Sequence, residues 1–292
     1  MLPQTLQLRV PILMENAIWF MLLAGLSFLL LFYTFWRKRD IKLIVLFLGL
    51  GAIAGLLDNV IFIWLDSYEY YPGILEDIYY DMVLGAYFSQ VYYVSSVALF
   101  IAAFHMRNRW IILFAAMFVG LEFLFLALGI YKLNWWHSGY TAVGLSIYFW
   151  LSKKWYSSLK HAYSGFVRWF TLYCLSYIIF INLVAIPLIS HHYHFAGGWF
   201  INASRDAVAV LVVIMLIKSV VIMLACYHRL PRMIMVLFVF MMWVSYAVMI
   251  RLNIMSFKYI WDLAYFAIID VVVLLACYYL DKALLRKQSG IM

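Results

Sequence analysis

Apolar runs of about 20 residues, separated by short polar segments, recur along the whole chain. A bilayer core needs roughly 20 apolar residues at ~1.5 Å rise per residue, so each run predicts a membrane-spanning helix. The pattern gives nine, at about 16–36, 42–65, 81–105, 109–130, 135–152, 166–190, 204–227, 232–252 and 259–281. The fifth, WWHSGYTAVGLSIYFWLS, is the shortest and carries the weakest pattern. The expected fold class is therefore all-α, a polytopic transmembrane helix bundle. No polar segment much exceeds about 16 residues, which leaves no room for an ATPase, kinase or nucleic-acid-binding domain.

Composition agrees, with 68% hydrophobic and 12% charged residues. The formal charge of +8 does not imply a nucleic-acid partner, because the charges sit in short clusters between apolar runs, where they set topology. One set of loops holds Arg37, Lys38, Arg39, Lys42, Arg107, Arg109, Lys153, Lys154, Lys160, Arg168, Arg229, Arg232, Lys282, Arg286 and Lys287. The other holds Arg9, Lys132, Arg205, Arg251 and Lys258. Basic residues stay on the cytoplasmic side, so the N-terminus is expected outside and the C-terminus inside. Trp36, Tyr70, Tyr71, Trp135, Trp136, Trp155, Tyr278 and Tyr279 lie at helix ends as headgroup anchors. Cys174, Cys226 and Cys277 are separated and odd in number, reading as buried small apolar residues rather than disulfides. The opening MLPQTLQLRVPILMEN shows no small-residue cleavage pattern after it, so no removable signal peptide is expected.

After the first helix, the other eight divide into two sets of four that align at an offset of about 123–125 residues. Asn59 falls on Asn182, Asp81 on Asp206, His105 on His228, Arg109 on Arg232 and Trp136 on Trp261. Units with an even number of helices form a parallel repeat. The expected organisation is residues 1–40 as N-terminal segment and first helix, 41–155 as a first four-helix unit, and 156–292 as a second unit with a basic tail. Gly51 and Gly55 form a small-xxx-small pair with Asp58 on the same face. Gly85, Ser89 and Ser96, and His137, Thr141 and Gly144, extend a polar seam through helices three and five.

Ionisable residues at membrane depth cost ~2.5 kcal/mol or more and normally face a bundle interior. Asp58 and Glu122 share an expected depth of ~10–12 Å below the outer surface. With Asn59 and with His137 at the top of its helix they form the first candidate polar site, because carboxylate and imidazole together can relay protons. The competing reading is hydrogen bonding that only fixes helix packing. Lys218 and Asp270 lie within one turn in depth on helices seven and nine, so a buried ion pair is expected.

The outer loop LDSYEYYPGILEDIYYD carries Asp66, Glu69, Glu76, Asp77 and Asp81 without a basic residue, a sequence that either attracts cations or is a solvated loop. Asp77-x-x-x-Asp81 has the spacing of aspartates that hold magnesium against a diphosphate. Nine-helix intramembrane prenyltransferases use such motifs in pairs and on the cytoplasmic side, whereas the second unit here offers only Asn202 and Asp206. His191, His192 and His194 are weak metal candidates, lacking Cys partners or a helical i, i+4 pair. No other metal site and no cofactor is expected. Asn202-Ala203-Ser204 matches a glycosylation acceptor. P-loop, dinucleotide, HExxH and nucleophile-elbow motifs do not occur.

Residues about 40–155 resemble a family of small polytopic membrane proteins of spore-forming Gram-positive bacteria, to which no activity is assigned. The resemblance rests on the Asp58 helix, Tyr70-Tyr71-Pro72, the Glu122 helix, Asn134-Trp135-Trp136-His137 and Ser152-Lys153-Lys154-Trp155. It implies a bacterial plasma membrane. The second half departs from the pattern, with a position near Ser245 matching Glu122 and Trp261-Asp262 replacing Trp136-His137.

Two function classes stay open. One is permeation or transport of a small polar or ionic solute, with or without proton coupling. The other is a non-transporting sensor, assembly partner or accessory subunit, in which a protein partner or second copy covers part of the surface. An intramembrane lipid- or prenyl-modifying enzyme is a third, less favoured class. Membrane lipids are partners in every case.

Overall fold

The computed structural model describes residues 9–289, with side chains from Asn16 to Arg286. The leader reading above falls largely outside them, as do the side chains of Arg9 and Lys287. Among the described residues the chain forms nine helices and four three-residue strands. The helices are α1 (Arg9–Lys38), α2 (Ile41–Asp58, continuing as a π-helical stretch Asn59–Trp64), α3 (Ile78–Ala86, then π-helical Tyr87–Val94, then Ser95–Ala103), α4 (Asn108–Ala127), α5 (Ser138–His161), α6 (Gly165–Ile189), α7 (Ala203–Tyr227), α8 (Arg232–Arg251) and α9 (Ile260–Ser289). The strands are β1 (Tyr68–Tyr70), β2 (Tyr131–Leu133), β3 (Tyr193–Phe195) and β4 (Met255–Phe257). Among the described residues eight helices are long and apolar enough to cross a membrane. The protein is an integral membrane protein with an all-α helical bundle. The helix that falls short is α5, whose second half, SKKWYSSLKH, is polar and basic.

The chain divides into two compact units, ending and beginning at Ser157 and Ser158. Each is built on one plan after α1: helix, strand, helix, helix, strand, helix. In the first unit β1 pairs antiparallel with β2, setting Tyr68 opposite Leu133, Glu69 opposite Lys132 and Tyr70 opposite Tyr131. In the second, β3 pairs antiparallel with β4, setting Tyr193 opposite Phe257, His194 opposite Ser256 and Phe195 opposite Met255. Each unit has one most-buried span. These are α3 in the first (72% of its most apolar stretch) and α7 in the second (61%), while α1 and α4, both at 22%, and α8, at 17%, are the least buried.

Small side chains explain why α3 and α7 sit centrally. Ser95, Ser96, Ala98 and Ala102 on α3, and Ala207, Ala209 and Ser219 on α7, are fully buried and let neighbouring backbones approach. Hydroxyls then tie the first unit together. Ser27 and Ser96 are 2.6 Å apart, Ser95 lies 2.9 Å from the Tyr148 hydroxyl, and that hydroxyl donates to the Leu50 carbonyl at 2.9 Å. The closest approaches are not at Gly55, where an added Cβ would make an ordinary 3.5 Å contact with Val91. They are at Gly49, against the Trp155 ring, and Gly85, where a Cβ would lie 2.7 Å from Pro72 and 2.8 Å from Tyr70.

The loops before α3 and α7 are closed in the same way. Asp77 and Asn202 cap these helices by accepting from Tyr80 and Arg205 backbone N–H groups. One turn on, buried Asp81 accepts from the amides of Gly73, Ile74 and Leu75 at 2.7–2.9 Å, and buried Asp206 from those of Gly197, Gly198, Trp199 and Phe200 at 2.6–3.1 Å. Gly73 and Gly198 hold the turns at φ of 70° and 71°, where a side chain would be strained.

These matches locate the drift in the repeat. Asp66 and His191, both with φ above 50°, lie 125 residues apart, as do Gly73 and Gly198, and Asp81 and Asp206. From the left-handed turn residues His105 and Arg229 onward the spacing is 124, through the starts of α4 and α8 and the strands β2 and β4. One residue more therefore lies between Asp81 and His105 than between Asp206 and Arg229. It is accommodated in the π-helical stretch Tyr87–Val94, where i→i+5 bonding holds an extra residue per turn. The carboxylate Glu122 consequently corresponds to Tyr246, the residue next to Ser245.

Candidate functional site

The first unit contains a cavity of about 190 Å³ lined by α1, α2, α3, α4, α5 and the β1–β2 hairpin. Apolar walls come from Leu23, Ala54, Leu57, Phe118, Leu121 and Phe125. Both carboxylates singled out in this half, Asp58 and Glu122, line it. So do Ile61, Ser89, Gln90, Tyr93 and Val94, which all belong to the two π-helical stretches. Such stretches are common at functional sites because they widen the helix and re-aim its side chains.

The hairpin supplies the aromatic part. Alternation along β1 turns Tyr68 and Tyr70 inward and Glu69 outward. The Tyr70 and Tyr131 rings, on opposed residues, lie 4.7 Å apart, and Tyr68 lies 5.6 Å from each of them and 6.0 Å from Trp136. Trp136 in turn stands edge-on to Tyr140 at 5.3 Å. Tyr68, Tyr70, Tyr131, Trp136 and Tyr140 all line the cavity. Burial, then the neighbouring Asp58 carboxyl, pushes the Tyr68 and Tyr70 phenols well above their ordinary range; burial, then Tyr70 and Glu122, does the same at Tyr131. These hydroxyls stay protonated; Tyr68 donates to a carboxylate, and the Tyr70 hydroxyl accepts from the Gln90 amide at 3.2 Å.

Among the described residues the two carboxylates accept only from hydroxyls. Tyr68 donates to Asp58. Ser138 and Thr141, one turn apart at the start of α5, each donate to Glu122 at 2.6 Å. Thr141 also accepts from the Trp136 indole N–H at 2.9 Å, which leaves its own proton for Glu122. A carboxylate surrounded by donors is solvated as an acceptor. No Lys, Arg or His lines the cavity among the described residues.

His137 does not take part. It precedes the first turn of α5, accepts the Tyr140 amide through its carbonyl, and is exposed beside the Tyr140 ring at 5.6 Å. Ser138, the next residue, makes the contact to Glu122 expected of the histidine. Asn59 is on the π-helical end of α2 but does not line the cavity.

In the acidic loop, Glu69, Asp77 and Asp81 accept hydrogen bonds from within the first unit. Glu69 pairs with Lys132 across the hairpin at 2.9 Å and accepts from the Tyr71 hydroxyl and from Asn134 at 3.2 Å. Burial opposes its charge, but these three donors together hold its carboxyl below the usual value, while burial and Glu69 raise Tyr71 to about 12. Asp77 and Asp81 are occupied by the backbone bonds described above, so they do not form a magnesium pair. Asp66 holds a left-handed turn whose carbonyl accepts from Asn134 at 2.9 Å. Glu76 lies in the same loop, before the Asp77 cap. His192 is held by Asp262 at 3.0 Å, His191 occupies a left-handed turn and His194 lies on β3. Among the described residues no group of three His, Cys, Asp or Glu is arranged to hold a metal.

In the second unit the structure brings Lys218 and Asp270 together. The ammonium lies 2.9 and 3.1 Å from the carboxylate oxygens, and Tyr246 contacts both, donating to Asp270 at 3.1 Å. By the repeat spacing, Tyr246 stands where Glu122 stands in the first unit, Lys218 falls at Tyr93–Val94, and Asp270 falls at Ser146, beside Leu145. The buried triad thus occupies the second-unit counterpart of the cavity wall.

Sequence reasoning missed the tyrosine-bearing hairpin, Ser138 and the π-helical stretches, whereas Thr141 belongs to the polar seam expected on α5. The only advance signal was the drift of the repeat offset. Compared with protein-family models, curated proteins and solved structures, the chain matches none.

Proposed function

We propose that the first-unit cavity binds a small organic cation and that the protein serves its permeation or transport. The observation that carries this reading is a pair of carboxylates, met only by hydroxyl donors, on a cavity ringed by tyrosine and tryptophan. Aromatic faces and carboxylates attract cations together, and the attraction grows where water is excluded. A volume of about 190 Å³ is somewhat larger than the ~150 Å³ that accommodates benzene. It suits a compact amine or quaternary ammonium ion. Proton coupling through His137 is not part of the proposal, because the imidazole stands off the cavity. The resemblance of the first half to membrane proteins of spore-forming bacteria, and the bacterial plasma membrane it implies, are consistent with this role.

The test is binding and uptake of tetramethylammonium and methylammonium by the purified protein in liposomes, for wild type, Glu122→Gln and Asp58→Asn. Removing one charge-assisted contact, worth ~1.5–3 kcal/mol, is expected to weaken binding about tenfold or more. Equal binding by all three proteins, or none by the folded wild type, overturns the proposal. Binding without uptake favours the sensor reading over transport.

A further inference from the structure

The second unit contains a separate groove of about 1060 Å³ between α8 and α9. Its walls are apolar, formed by Val236, Val239 and Phe240 on α8 and by Leu274, Leu275 and Tyr278 on α9. It exists because α8 is the least buried span, so its inner face leaves α9 partly uncovered. One end of the groove is cationic. Arg229, Arg232, Lys282 and Arg286 line it there, and an adjoining recess of about 430 Å³ is lined by Tyr279, Lys282, Ala283 and Arg286. The single acid in the lining, Asp281, is already neutralised. Arg168 grips both its oxygens at 2.8 and 2.9 Å, and Tyr163 donates to it at 3.0 Å.

We infer that this groove binds an anionic phospholipid, with acyl chains along the Val239–Leu274 wall and the headgroup phosphate among Arg229, Arg232, Lys282 and Arg286. Charge complementarity selects this occupant. An apolar slot that ends in four cations, with its one carboxylate spoken for, matches a molecule with an apolar body and an anionic end. The basic end is the side that charge bias assigns to the cytoplasm, and basic pockets between helices on that side bind acidic headgroups. The Lys282 ammonium lies 6.0 Å from the centroid of the Tyr278 ring, which keeps its charge beside the apolar wall of the groove. This inference is independent of the first-unit cavity.

The experiment compares lipid retained by the full-length protein after extraction from vesicles of mixed phosphatidylglycerol and phosphatidylcholine, measured by native mass spectrometry. Wild type is expected to retain phosphatidylglycerol preferentially. Neutralising Arg229, Arg232 and Lys282 to Gln is expected to reduce that preference roughly tenfold or more. Val239→Trp, which fills the slot and leaves every charge in place, is expected to reduce it as well. No preference in wild type overturns the inference, and that result needs no variant. A preference that survives Val239→Trp, or that inorganic phosphate abolishes, overturns it by showing an anion site without acyl contact. Conversion of a dimer to monomer by Val239→Trp overturns it by assigning the groove to a second copy of the chain.

Discussion

If the Lys218–Tyr246–Asp270 triad only fills the second unit, its charges are replaceable as a set and not singly. Lys218 is 4% exposed and Asp270 0% exposed, and the ammonium–carboxylate contacts are 2.9 and 3.1 Å. Lys218→Met leaves a fully buried carboxylate with one remaining donor, the Tyr246 hydroxyl. Breaking a buried pair this way costs about 3–5 kcal/mol, whereas exchanging the whole pair for apolar residues of similar volume is often neutral or stabilising. The expected losses are therefore ~3–5 kcal/mol for Lys218→Met and similar for Asp270→Leu. For Lys218→Met/Tyr246→Phe/Asp270→Leu, which also removes the hydroxyl that the pair had satisfied, the expected loss is within about 1 kcal/mol. Equilibrium unfolding in mixed detergent micelles, monitored by tryptophan fluorescence, measures all three, and the non-additivity isolates the pairing. A triple variant as unstable as the sum of its parts refutes the structural assignment. So does a triple variant that stays stable but loses cation binding in the first unit.

Two further outcomes follow from the first unit. Gly85→Ala and Gly49→Ala should each cost ~1–3 kcal/mol by overpacking, because backbone-anchored Pro72 and the Trp155 ring occupy the space, whereas Gly55→Ala, facing Val91 at 3.5 Å, should be nearly neutral; the same unfolding assay ranks them. Glu69 has its carboxyl held below its ordinary value of 4.5 in the fold. Its contribution to the β1–β2 hairpin is therefore complete above about pH 4.5 and lost as pH falls through the lowered folded value. Hydrogen-exchange protection of the hairpin amides, corrected for intrinsic rates, should drop over that range in wild type and not in Glu69→Gln.

The helices were legible because an apolar run of about 20 residues has few alternatives in a bilayer. Asp58, Glu122, Lys218 and Asp270 stood out for the same reason, as charges where charge is costly. The hairpins were not legible, since a three-residue strand offers too little alternation to separate from a loop, and Tyr70 looked like an interfacial anchor. The acidic loop misled for a different reason. Its composition records charge, whereas the role of Asp81 depends on which amides the turn at Gly73 directs toward it. His137 was read by neighbourhood in sequence. The start of α5 at Ser138 decides that the serine, not the histidine, reaches Glu122.

The extra residue in the π-helical stretch of α3 lets the two units keep matched caps and hairpins although their central helices differ in length. Inserting one residue into an α-helix would rotate everything beyond it by ~100° and strip the far half of its packing. A π turn absorbs the change locally, so Ser95–Ala103 still reaches the His105 turn and α4 still starts in step with α8. The central helices of the two units thus differ by a single residue while the elements on either side keep the same spacing. The copy with the wider turn has carboxylates on an open cavity, and the copy without it has a sealed ion pair.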